Sequence, residues 1–238
     1  MNKKIIFCLI LLLSTGAQAS CVILLHGLGR TENSMQKLEQ QLSLAGYKAI
    51  NIGYPSREHP IAVLAEKAIT PAIEQCKKNE DINFVSHSLG GILIREYLAS
   101  NTIENLKYVV MLGPPNQGSE VVDKLKDVPG FHFINGQAGL QLGTGELSTP
   151  NTLGPANFNV GIIAGNKSIN WILSSLIPGK DDGKVSIEKT KLEGMNEHIE
   201  MDVSHPFMMR DEEVISQVIY YLQNGHFRHT SGDDNPSP

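Results

Sequence analysis

Short apolar runs and amphipathic stretches alternate along most of this chain. Val22–Leu25 is an unbroken apolar run, the pattern of a strand buried on both faces. Thr31–Ala45 places Met35, Leu38, Leu42 and Ala45 on one helical face and stops at Gly46. Tyr47–Ile52 reads as the next strand, and Ile61–Lys77 as a helix interrupted by Pro71. The alternation continues with a strand at Ile82–Val85, a helix at Leu89–Ala99, a strand at Tyr108–Leu112 and a short helix at Ser119–Lys126. Asn159–Ala164 is a further strand. Ile199, Met201 and Val203 alternate in the last one, and Glu212–Leu222 is the closing helix. This order predicts an α/β fold of about six mainly parallel strands with helices on both faces.

Three stretches depart from the alternation. Residues 114–158 are rich in turn formers, and so long an excursion in a compact domain reads either as a cap over a site or as an ordinary surface excursion covering the core. Residues 177–186, "IPGKDDGKVS", are turn chemistry between two elements. The polar tail from residue 225 predicts disorder.

The N-terminus reads differently again. Lys3 and Lys4 precede the apolar run Ile5–Leu13, which is too short to span a bilayer, and Ala17-Gln18-Ala19 has the small-x-small form of a cleavage site. Residues 1–19 are therefore expected to be a signal peptide, with the domain at 20–224 in the periplasm or outside the cell. A membrane anchor and a lipid-modified Cys21 are the competing readings. Gln18 and the absence of a tether after Cys21 speak against the second.

At 238 residues, 41% hydrophobic and 19% charged, the remainder is enough for one sizeable core. A formal net charge of −5 gives no electrostatic footprint for nucleic acid. The three cysteines lack zinc spacing and there is no Gly-rich phosphate loop, so no cofactor or metal is expected.

The candidate chemistry sits at "NFVSHSLGGILIREYL", residues 83–98. Ser88 falls between a strand and a helix with no loop to relieve the turn. Such a turn pushes its central side chain into the open and brings strand and helix so close that the flanking positions, Ser86 and Gly90, must be small. The N–H of Leu89, opening the helix, is left without an intrahelical partner and faces the same space. An exposed hydroxyl beside an anion-binding donor is a nucleophile with half an oxyanion hole.

This stretch resembles the nucleophile elbow of the α/β-hydrolase superfamily, in the "HSLGG" form of bacterial lipases and esterases, with Ser86 in place of the usual first glycine. "LLHGLGR", residues 24–30, resembles the H-G motif of the same enzymes. The resemblance implies that the N–H of Leu28 pairs with that of Leu89 to complete the oxyanion hole. It also implies a base and an acid in the order Ser, Asp or Glu, His. Of eight histidines, His205 lies just beyond the last strand, on the edge where sites form. Asp182 in "DDGKVS" is the expected acid, with Asp181 its rival and Glu188 next in line.

The resemblance implies an ester hydrolase without cofactor, acting on a small-molecule or lipid ester and transiently contacting a lipid interface. A thioesterase, amidase or lipid acyltransferase on the same fold, or a binding protein that kept it, remain alternatives. Leu140, Leu142, Leu147, Leu153 and Phe158 are the expected lining of an acyl pocket. In the implied fold the strands at 22–25 and 82–85 are neighbours. Cys21 and Cys76 then meet at the amino edge of the sheet, and a disulfide is expected in an exported chain.

Overall fold

The computed structural model describes residues 20–229. The expected signal peptide and the end of the tail lie outside the described residues. Six strands form one sheet: β1 Cys21–Leu25, β2 Lys48–Ile52, β3 Ile82–His87, β4 Leu106–Leu112, β5 Val160–Gly165 and β6 Glu197–Met201. Their order is β2-β1-β3-β4-β5-β6 and every pairing is parallel. Nine α-helices are described: α1 Gln36–Leu44, α2 Ile61–Ile73, α3 Leu89–Ser100, α4 Glu120–Leu125, α5 Phe131–Leu140, α6 Thr149–Thr152, α7 Trp171–Ser174, α8 Ile187–Thr190 and α9 Glu212–Asn224.

The period-two geometry of the strands splits the core into two layers. Ile23 and Leu25 of β1, with Phe84, Val109 and Ile162, pack against α2 and α3 through Leu64, Ala68, Ile92 and Leu93. Val22 and Leu24 point the other way. With Val85, Val110 and Ile163 they pack on α1 and α9 through Leu38, Leu42, Val214 and Val218. That is why the central strands β1 and β5 read as continuous apolar runs, while the half-buried edge strand β6 alternates.

Several boundaries differ from expectation for identifiable reasons. The helix through Pro71 ends at Ile73 instead of Lys77. Beyond it Cys76 is tied to Cys21, as expected, across a Cα–Cα distance of 5.8 Å. The bridged residues are 55 apart in sequence, and closing such a loop is worth about 4 kcal/mol in the chain-entropy account. β6 stops at Met201, two residues early, because the Val203 N–H turns back to the Met201 carbonyl at 2.7 Å. The strand begins at Glu197, before the alternating residues, so His198 lies inside it, with Nε2 2.8 Å from Thr190 Oγ1. The ordered chain also runs past Asn224: Phe227 is fully buried, its ring tilted against Tyr221 with centroids 4.6 Å apart, which a polar tail does not advertise.

Arg95 of α3 organises the 114–158 excursion. This buried guanidinium donates to the carbonyls of Asn116 (2.8 Å), Pro150 (3.0 Å) and Gly154 (2.9 Å). Its fork holds both parts of the segment to α3. Burial lowers its pKa to about 10, still well above neutrality.

Candidate active site

In an open parallel sheet the crevice lies where strand order reverses, at the carboxyl ends. Here that point is between β1 and β3, whose last paired residues are Leu25 and Ser86. The loop after β1 therefore lies beside the turn after β3. The contact is close: a Cβ on Gly27 would stand 3.2 Å from Ser88 Cβ and 2.8 Å from His87 Nδ1, so only glycine fits.

Ser88 has φ 53° and ψ −119° and opens α3. Asn79 is the only other non-glycine residue with positive φ among the described residues. Such a conformation costs on the order of 1–3 kcal/mol and persists only where the surroundings over-determine it. They do so here: a Cβ at Gly90 would meet the Leu25 carbonyl at 2.6 Å, and Ser86 is wholly buried. The Ser88 N–H donates to the Leu112 carbonyl at 2.9 Å, which ties the elbow to β4. Neither Ser88 Oγ nor the amides of Leu28 and Leu89 are hydrogen-bonded to another described residue.

The loops after β5 and β6 bring Asp182 and His205 together. His205 Nδ1 lies 2.7 Å from Asp182 Oδ2, and the His205 N–H donates to the Asp182 carbonyl at 2.9 Å. A carboxylate accepts, so Nδ1 carries the proton and Nε2 of the neutral ring is left with its lone pair. Asp182 Oδ1 accepts from the N–H groups of Lys184 (3.0 Å) and Val185 (2.9 Å), which fixes the carboxylate plane. Gly113, with φ 54°, makes room: a Cβ there would be 2.9 Å from Asp182 Oδ2 and 3.1 Å from His205 Nδ1. Asp181 faces elsewhere and accepts from Ser174 Oγ and the Gly183 N–H, both at 2.7 Å. Glu188 is paired with Lys191 at 2.7 Å.

Ser88, Asp182 and His205 all border one cavity of about 310 Å³, at the lower end of the usual size for a small-molecule site. Its apolar wall comes from Leu28, Val121, Val122, Phe131, Leu142 and Leu173. Of the five residues expected to line an acyl pocket, only Leu142 does. Leu140 and Leu147 border a separate hollow, while Leu153 and Phe158 pack on the core. Leucines in a turn-rich segment carry no period from which to assign a face, and the chain folds α4 and α5 over the cavity instead.

Two histidines take parts that the sequence does not announce. His26 stacks on Tyr54 at 4.0 Å and its Nδ1 lies 2.9 Å from the Gly27 carbonyl, so it braces the loop carrying Leu28. His87, fully enclosed, has Nε2 2.9 Å from the His205 carbonyl and rings 4.6 Å apart. That carbonyl can only accept, so Nε2 is protonated and Nδ1 is bare. Burial, with the His205 ring as the next contribution, pushes the His87 pKa well below its ordinary 6.5; burial also lowers that of His26.

A histidine whose pKa is depressed on folding binds fewer protons in the native than in the unfolded state. Its contribution is fully present above pH about 6.5 and is lost as pH falls below it. We expect stability to drop in that window with a slope approaching about 1.4 kcal/mol per pH unit for each such group. Denaturant midpoints between pH about 8 and 5 would show it, and His87→Gln, which can still donate to the His205 carbonyl, should flatten the slope. A wild-type midpoint independent of pH across that range contradicts the account.

No family model matches the chain, and no curated protein sequence matches it either. Its backbone does resemble solved structures. A Bacillus licheniformis lipase in mature form superposes with TM-score 0.66 at 19% identity, over 88% of this chain and 93% of that one. The chain spans only 52% of the propeptide form of the same lipase. A metagenomic carboxyl esterase gives TM-score 0.66 at 17% identity, over 79% and 64%. A phospholipase from Legionella pneumophila gives 0.55 at 18%, over 74% and 45%. Identities this low speak to architecture alone, and the architecture agrees with the strand order and the elbow: the chain has the α/β-hydrolase fold.

Proposed function

We propose that this chain is an exported serine hydrolase that cleaves carboxylic esters of medium or long acyl chains. The observation that carries the reading is the 2.7 Å His205–Asp182 contact in the cavity that also holds the strained Ser88. Ser88 Oγ attacks the ester carbonyl, and His205 Nε2 takes its proton and then returns it to the leaving alcohol. Asp182 holds the tautomer that keeps Nε2 free and stabilises the imidazolium once it forms. The Leu28 and Leu89 amides receive the oxyanion, each such donor typically contributing about 2.7–4 kcal/mol. Water repeats the sequence on the acyl-enzyme. The likeness to a lipase, a carboxyl esterase and a phospholipase favours esters among acyl compounds. The basic and apolar start with its Ala17-Gln18-Ala19 site, together with the Cys21–Cys76 bridge, favours export.

The wall of Val122, Phe131, Leu142 and Leu173 favours an acyl chain longer than acetyl. On a series of p-nitrophenyl esters from acetate to palmitate, kcat/KM should rise with chain length to an optimum at octanoate or beyond. The protein would be recovered from the exported fraction, and its N-terminus read by mass spectrometry should be Ser20. An optimum at acetate contradicts the substrate class, and an uncleaved Met1 contradicts export.

A further inference from the structure

Two cations border the cavity, and the proposed reaction uses neither. Arg30 is carried by the loop after β1 and Lys184 by the turn that supplies Asp182, and both line the cavity that holds Ser88. Both positions are fixed by backbone. The Arg30 N–H donates to the Gly27 carbonyl at 3.2 Å. The Lys184 N–H donates to Asp182 Oδ1 at 3.0 Å, and the Lys184 carbonyl accepts from Ser119 Oγ at 2.8 Å.

Neither charged head makes an ion pair with another described residue. Among the described residues Asp182 is the only acid bordering the cavity, and its carboxylate is already occupied by His205 and two amides. Burial, then the Arg30 charge, lowers the Lys184 pKa, and the Asp182 carboxylate opposes the shift. Two cations that border one cavity and have no ion-pair partner among the described residues favour an anion there, in a chain of net charge −5.

We propose, building on the ester-hydrolase reading, that Arg30 and Lys184 form a subsite for an anionic group of the substrate, an amphiphile whose apolar chain lies along Val122, Phe131 and Leu142. A phosphate close to the scissile ester fits two unpaired cations that border the same cavity as Ser88. The apolar wall takes the acyl chain and the two cations take the head, which orients the carbonyl between the Leu28 and Leu89 amides.

Binding tests this without relying on turnover. Calorimetric titration of the folded wild-type protein would compare decyl phosphate below its micellar concentration with decanol and with inorganic phosphate. Decyl phosphate should bind at least about tenfold tighter than decanol, and inorganic phosphate alone far more weakly than decyl phosphate. Arg30→Gln and Lys184→Gln should each weaken decyl phosphate about fivefold, and molar salt should erase the preference. In turnover, the kcat/KM ratio of a monoacylglycerol phosphate over the matching monoacylglycerol should fall by the same factors in the two variants. Equal affinity for decyl phosphate and decanol, or a preference untouched by both variants, overturns the subsite. Failure of the hydrolase reading would look different, with decyl phosphate bound but no ester cleaved.

Discussion

Ser88→Ala should abolish ester hydrolysis, with a loss approaching about 10⁶ in rate, while the protein keeps its fold. The size follows from triad chemistry, in which nucleophile and base act as a unit, so that losing either can cost as much as losing both. Folding should survive because the hydroxyl borders a cavity and has no hydrogen-bond partner among the described residues. The surroundings that impose φ 53° on residue 88, Gly27 and Gly90 against β1, are untouched by the change. His205→Ala should cost nearly as much. Turnover of p-nitrophenyl octanoate, labelling by a fluorophosphonate probe and a thermal midpoint would be measured on the same preparations. Wild-type turnover in the Ser88→Ala protein would end the serine-hydrolase reading altogether.

Asp182→Asn should lose about 10⁴-fold, far more than Asp181→Asn. The hydrogen bonds around the carboxylate give the reason. Oδ1 accepts from two backbone N–H groups, at 3.0 and 2.9 Å, so an amide at this position must keep its oxygen there and turn its NH₂ toward His205 Nδ1. The imidazole can then only accept at Nδ1, its proton moves to Nε2, and the lone pair that should receive the Ser88 proton is gone. A wrong tautomer of this kind is known to cost about 10⁴ in serine hydrolases. Asp181 holds Ser174 and Gly183 instead, and its amide variant should stay within about tenfold of wild type. Steady-state kinetics on the two variants would decide. Equal, mild losses from both would mean that neither carboxylate serves His205 in catalysis.

The sequence by itself determined the architecture and the places where the chain turns toward a site. The strands β1, β3 and β5 are buried on both faces, so their apolar runs are legible without knowing their neighbours. The elbow is equally local: a strand, Ser86, Ser88, Gly90 and a helix force one geometry through sterics alone. Asp182 over Asp181 was a matter of resemblance in the sequence, since two adjacent aspartates in one turn have the same composition around them. Only the tertiary structure separates them, because the turn at Gly183 aims one carboxylate at His205 and the other at Ser174.

The cavity wall was also decided in three dimensions. Beyond the short helix at Ser119–Lys126, residues 114–158 lack a helical or strand period, so which of their leucines face inward depends on how Arg95 pins Asn116, Pro150 and Gly154 to α3. His87, Arg30 and Lys184 were silent for a related reason. Their neighbours across the cavity come from loops 118 residues away in the case of His87 and His205, and charge or burial acquired across such a distance leaves no mark on the local sequence.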